Sequence, residues 1–147
     1  MNGGQRVSET DAADFAARFA DYWRAPTPER LSLVLADRVR LVAPMTPVTD
    51  TLAEGQRAFA GLFELIPDLT GEMHRWGATE DGVLIEFTLS GSAGGRPIAW
   101  SAVDRFVLGT EGLATERVTY FDSMPIARAA AARPRAWPAL LRSRLHR

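Results

Sequence analysis

From Asp11 to Arg24 the bulky residues Phe15, Phe19, Tyr22 and Trp23 fall at i, i+4, i+7 and i+8, one stripe of an amphipathic helix. Ser8, Thr10 and Asp11 can cap its start, and Pro26 with Pro28 ends it. Thr27-Pro28-Glu29 then has the order cap, first-turn proline, first-turn acid, which predicts a short helix with Leu31, Val34 and Leu35 inward. A brief strand follows over 39–43, stopped by Pro44, and a loop runs through Pro47 and Asp50. A third helix from about Leu52 to Leu65 turns Phe59, Leu62, Phe63 and Ile66 inward and stops at Pro67-Asp68.

Beyond Pro67 the period changes from helical to alternating. Turn signals at Glu80-Asp81-Gly82, Ala93-Gly94-Gly95 and Gly109-Thr110-Glu111-Gly112 separate four strand-like runs near 71–79, 83–91, 97–107 and 113–121. In the third run Trp100, Ala102, Asp104 and Phe106 share one face, with Ser101, Val103, Arg105 and Val107 on the other. Val83, Ile85, Phe87 and Leu89 likewise form an apolar face and leave Glu86 on its reverse. Helices first and a meander afterwards predict an α+β fold, with the N-terminal helices packed on one face of a curved, mostly antiparallel sheet. The 147 residues amount to one domain, read as a flexible N-terminus over 1–10, a folded unit over 11–122 and a basic helical extension over 123–147.

Composition narrows the chemistry. Without cysteine there is no disulfide framework, thiolate nucleophile or cysteine metal site. All seventeen basic residues are arginine, so no lysine amine can form a Schiff base. Two distant histidines, His74 and His146, cannot build a histidine-rich metal site, and the Gly94-Gly95 pair lies in a hairpin rather than in a phosphate-binding loop. No metal or cofactor is expected. The N-terminus has no apolar stretch of the secretory kind and no run is long enough to span a bilayer, which predicts a cytoplasmic protein. Abundant Ala and Arg without Lys suggests a GC-rich bacterial genome.

Charge is unevenly placed. Residues 123–147 hold six arginines and no acid, leaving eleven arginines against all eighteen acids in residues 1–122. Such a tail can meet a polyanion, but it can equally cap a helix or lie on the protein's own acidic body. The second reading is preferred, so neither nucleic acid nor a membrane is expected as a partner.

Several stretches together resemble the nuclear transport factor 2-like superfamily, which includes the SnoaL-like polyketide cyclases, ketosteroid isomerases and limonene epoxide hydrolases. They are the aromatic first helix, Leu35-Ala36-Asp37, Gly55-Gln56-Arg57-Ala58-Phe59, Ile66-Pro67-Asp68-Leu69, Val103-Asp104-Arg105-Phe106, Glu111-Gly112-Leu113 and Tyr120-Phe121-Asp122. The resemblance implies a cone-shaped α+β barrel enclosing a pocket, and a homodimer formed through the sheet. It does not fix the reaction, because one fold hosts many functions.

Asp104 is the first candidate catalytic residue. A carboxyl on the aromatic face loses hydration, so its pKa should rise unless a cation or several donors reach it. Val103-Asp104-Arg105-Phe106 resembles the strand segment that carries a protonated Asp in ketosteroid isomerases. The alternative is that Asp104 accepts structural hydrogen bonds. The other isomerase positions are not matched: Ala43 stands where the resemblance puts the base and Phe19 where it puts the oxyanion-hole tyrosine. The epoxide hydrolase acids are also missing, with Thr119 before Tyr120-Phe121-Asp122 and Ile85-Glu86-Phe87 on the earlier strand.

Tyr22 can supply a phenol donor or be a core residue with its hydroxyl at the edge. His74 is the histidine a cyclase-like mechanism would use, provided that it faces inward. Asp122 can serve the pocket mouth or cap a turn. Phe19, Trp23, Met45, Phe59 and Phe63 are candidate substrate-binding walls, as are Trp76, Phe87, Trp100, Thr119 and Phe121, and their aromatic character suits an aromatic or polycyclic ligand. Two functions follow. One is a cofactor-independent isomerase, cyclase or dehydratase acting on a small apolar carbonyl compound; the other is a non-catalytic binding or dimerising module.

Overall fold

The computed structural model describes residues 6–132. Helix α1 (Glu9–Arg24) begins at Ser8, whose side chain accepts from the Asp11 N–H, and buries the stripe Phe15, Phe19, Tyr22 and Trp23. Glu29–Leu33 forms a single 3-10 segment rather than an α-helix, and it turns Leu31 into the core. The chain then enters β1 (Leu35–Val42), β2 (Thr49–Thr51) and α2 (Leu52–Leu65). Four long strands complete the sheet: β3 (Thr70–Ala78), β4 (Gly82–Ala93), β5 (Arg96–Leu108) and β6 (Ala114–Phe121). Helix α3 (Met124–Ala131) ends the described chain, and the remaining basic extension, 133–147, lies outside the described residues.

The strands form one six-stranded sheet in the order β2-β1-β6-β5-β4-β3, antiparallel except where β1 runs parallel to β6. The helices pack on this curved, unclosed sheet as the fold class requires: α1 lies against β3 and β4, α2 against β1 and β2, and α3 against β5. Alternation on β4 and β5 holds along their length, so Val83, Ile85, Phe87, Trp100, Ala102, Asp104 and Phe106 point into one core beneath α1. Among the described residues no helix is long and apolar enough to cross a membrane.

Two strands also differ from the sequence expectation. β1 starts at Leu35 instead of Val39, because Asp37 and Arg38 are both exposed and interrupt the alternation that would reveal a strand. Thr49–Thr51 pairs with β1 at Arg38 and Leu41, although three residues are too few to carry a period and the segment reads as loop.

Candidate functional site

The inner face of β5 meets the inner face of β6 in a fixed register: Ala102 opposite Phe121, Asp104 opposite Thr119, and Phe106 opposite Arg117. Arg117 is therefore the diagonal neighbour of Asp104, within reach of a long side chain. Its Nε donates to Asp104 Oδ2 at 2.6 Å, in an ion pair whose side chains are 11% and 0% exposed. The guanidinium also lies over the Phe59 ring of α2, 5.3 Å from its centroid.

Aromatic rings surround this pair. Phe106 packs on Phe15 and Phe19, and Phe19 meets Phe87 edge-on at 5.0 Å. Trp23 contacts both Phe87 and Phe59, while Phe59 leads to Phe63 on the next turn of α2. Trp100 and Phe121 form a further pair across β5 and β6. Phe59, Phe63 and Phe121 are only partly buried, so the aromatic wall thins towards α2 and the end of β6.

Three buried polar atoms in this lining have no protein hydrogen-bond partner: Trp100 Nε1, Asp104 Oδ1 and Thr119 Oγ1. Buried polar groups are almost always paired, because each orphan forfeits about 1–3 kcal/mol of lost hydration. Three on one sheet face, Asp104 opposite Thr119 and Trp100 two inward positions before Asp104 on β5, are therefore a concentration that packing alone does not favour. They comprise one donor, one carboxylate oxygen and one hydroxyl that can act either way.

Burial pushes the Asp104 carboxyl above its ordinary range. The positive charge of Arg117 opposes the rise, as does, more weakly, the nearby Thr119 hydroxyl, which lies outside hydrogen-bonding geometry. The net result is a carboxyl with one oxygen held by a cation and the other free, more basic than a solvated aspartate. Such a group can take up a proton at Oδ1 and give it back.

The structure separates the other candidates. Tyr22 is buried on α1, and its hydroxyl donates to the Thr27 carbonyl at 3.0 Å. Burial holds its phenol well above the ordinary tyrosine range, against the charges of Arg117 and Arg30. His74 is exposed on the opposite face of the sheet, with Nε2 2.7 Å from Thr88 Oγ1, and is not brought to Asp104. Asp122 Oδ1 accepts from the Met124 N–H, a turn-capping contact. Of the expected wall residues, Phe19, Trp23, Phe87, Trp100 and Thr119 are buried, and Met45 and Trp76 pack at the edge of the core. Met45 adopts φ 68°, a left-handed conformation uncommon outside glycine.

Arg117 is the site residue that reading the sequence missed. Simple alternation on β6 puts Arg117, Thr119 and Phe121 on one face, but it does not say what Arg117 meets there. A separate cleft of about 560 Å³ lies between the β4–β5 hairpin and α3, lined by Arg96, Pro97, Pro125 and Arg128 among others, and contains none of the orphaned atoms. Among the described residues no cluster of three or more His, Asp or Glu is arranged to hold a metal ion.

The SnoaL-like domain family matches residues 16–117, a span that runs from the middle of α1 to the first half of β6 and includes both members of the ion pair. The chain belongs to this family. It is thereby a member of the nuclear transport factor 2-like superfamily. No curated protein matches it in sequence. Among solved structures, a protein from Jannaschia sp. CCS1 provisionally named a SnoaL-like polyketide cyclase superposes with TM-score 0.72 at 19% identity, covering 89% of this chain and all of that one. AclR of Streptomyces galilaeus, provisionally a hydroxylase, gives TM-score 0.71 at 14% identity over 95% of this chain and 99% of its own. TerC, crystallised with polyporic acid, gives 0.72 at 14% identity over 82% and 98%. At these identities the similarity establishes the SnoaL-like fold and leaves the reaction to the site.

Proposed function

We propose that this SnoaL-like protein is a cofactor-independent acid/base catalyst of the isomerase, cyclase or dehydratase type, acting on a small apolar carbonyl compound with an aromatic or polycyclic skeleton. The observation that carries this reading is the set of orphaned atoms, Trp100 Nε1, Asp104 Oδ1 and Thr119 Oγ1, on one face of an aromatic lining. Asp104 Oδ1 takes a proton from the position next to the carbonyl and returns it elsewhere on the same molecule. Trp100 and Thr119 hydrogen-bond the ligand's polar atoms, and the rings hold its skeleton. The names of similar structures, cyclases among them and one crystallised with polyporic acid, are consistent with that choice of ligand.

Deuterium exchange tests it directly. Wild type and Asp104→Asn are incubated in deuterium oxide with aromatic polyketide-like ketones, and label is read at the carbon next to the carbonyl. Wild type should incorporate label, and the variant should be slower by about 10²-fold or more, the usual weight of a general base. Ligand binding without any exchange by wild type would instead indicate the non-catalytic binding module. That second reading draws on the unmatched catalytic positions, Ala43, Phe19 and Thr119.

A homodimer through the outer sheet face is also proposed. Val103 and Tyr120 are cross-strand neighbours there, Leu84 sits one strand over, and the three are 37%, 57% and 40% exposed.

A further inference from the structure

Arg117 makes one hydrogen bond among the described residues, through Nε to Asp104. Its two terminal nitrogens, the fork best suited to a planar oxyanion, have no protein acceptor there. The Arg117 side chain is 11% exposed and its guanidinium lies on Phe59 beside Asp104, so these two nitrogens, which are not among the buried unpaired atoms, are open to a ligand.

We propose that Arg117 is the oxyanion-binding residue of this site and that the ligand is an apolar compound carrying an acidic enol, such as a β-diketone. The assignment rests on the acid/base reading above and narrows its substrate class. The enol O–H bond breaks, the proton passes to Asp104 Oδ1, and the oxygen remains as an anion on the Arg117 terminal nitrogens. Charge moves from carboxylate to enolate beside the same cation, so the step needs no oxidant, reductant or further partner.

Charge balance separates an enol from a carboxylate. A carboxylate enters already ionised and would set two negative groups, one of them the fully buried Asp104, against one guanidinium. An enol brings its own proton, so Asp104, Arg117 and ligand together stay neutral. Arg117 is then a specificity determinant as well as the partner that holds Asp104.

The test uses benzoylacetone, an aromatic β-diketone, its enol methyl ether, which has no proton to give, and naphthoate as the carboxylate. Affinities are read by quenching of tryptophan fluorescence at neutral pH. Wild type should bind the diketone at least about tenfold more tightly than the ether, the weight of one charge-assisted hydrogen bond. Arg117→Met should remove that preference while leaving the ether's affinity within about twofold, since the apolar walls are unchanged. The Arg117→Met/Asp104→Asn double variant, which leaves no unpaired charge, should behave the same and guards against a fold lost through the buried carboxylate. Equal binding of diketone and ether by wild type would overturn the inference while leaving the acid/base reading intact. So would a preference that survives in both variants, or naphthoate binding more tightly than the diketone. Failure of every probe to bind would overturn both.

Discussion

Asp104 and Arg117 impose different costs when altered, because the charge left behind is fully buried in one case and partly exposed in the other. Arg117→Met strands a carboxylate with no exposed surface, and breaking a buried pair in this way should cost about 3 kcal/mol at neutral pH, read as a lower urea midpoint with an unchanged slope. Asp104→Asn keeps an oxygen that can accept from Arg117 Nε and removes the desolvated charge, so its midpoint should stay within about 1 kcal/mol of wild type. The pH dependence follows from the raised carboxyl. The folded state holds the Asp104 proton more tightly than the unfolded chain, so this group's stabilising contribution is complete below the unfolded value of 3.8 and is lost as pH rises through the higher folded value. The deficit of Arg117→Met should therefore shrink as the pH is lowered and Asp104 becomes neutral, measured by repeating the denaturation in acid. If Asp104 is the base, the acid limb of any rate profile should likewise lie above the ordinary carboxylate range. The inward direction of Asp104 was legible from alternation on β5. Its partner was not, because pairing across strands depends on register, which a single strand's pattern does not contain.

At the scale of elements, helix α2 carries the Phe59 ring that covers Arg117, and its start is fixed by a capping arrangement. The Thr51 hydroxyl accepts from the Glu54 N–H at 3.2 Å, while the Glu54 carboxylate reaches back to the Asp50 N–H at 2.9 Å. Thr51→Ala should cost about 1 kcal/mol of stability, seen in the thermal or urea midpoint, with any binding defect confined to ligands that contact Phe59. The β4–β5 pairing is less tolerant. A Cβ on Gly82 would sit 1.7 Å from the Phe106 carbonyl oxygen, so the strand cannot keep its register without moving backbone. Gly82→Ala should destabilise by about 3 kcal/mol or more, and the loss should appear in denaturation of the whole domain because Phe106 lies in the core. Helix α2 and the four long strands were legible because each has a sustained period and explicit turn residues at its ends. β1 began four residues before its apparent start and β2 was invisible, since their pairing partners, rather than their own residues, make them strands.

At the scale of the whole molecule, α1 to α3 cover one face of the sheet, and among the described residues no helix covers the other. That outer face is mixed. Arg105 pairs with Glu116 at 2.8 Å and Arg75 with Glu86 at 3.3 Å, while His74, Thr88 and Ser101 form a polar row. Between these groups Val103 and Tyr120 sit directly opposite each other on β5 and β6, with Leu84 on the adjoining strand. An apolar strip flanked by ion pairs has the composition of an interface core and rim. A two-fold contact would bring the strip onto its own copy, since a symmetric interface joins the same patch on both chains. Light scattering of wild type should thus give twice the chain mass of 16.1 kDa. Val103→Asp would put a carboxylate opposite its symmetry mate in the buried centre, and should yield a monomer whose circular dichroism is unchanged because the side chain leaves the inner core untouched. The site predicts a second consequence. Asp104, Arg117 and the orphaned Trp100 and Thr119 atoms all come from one chain, on the face opposite the strip. The Val103→Asp monomer should therefore bind the aromatic β-diketone with an affinity within about threefold of wild type, a difference of under 1 kcal/mol. A monomer that folds but no longer binds would instead mean that dimer contacts hold β5 and β6 in the register the site requires.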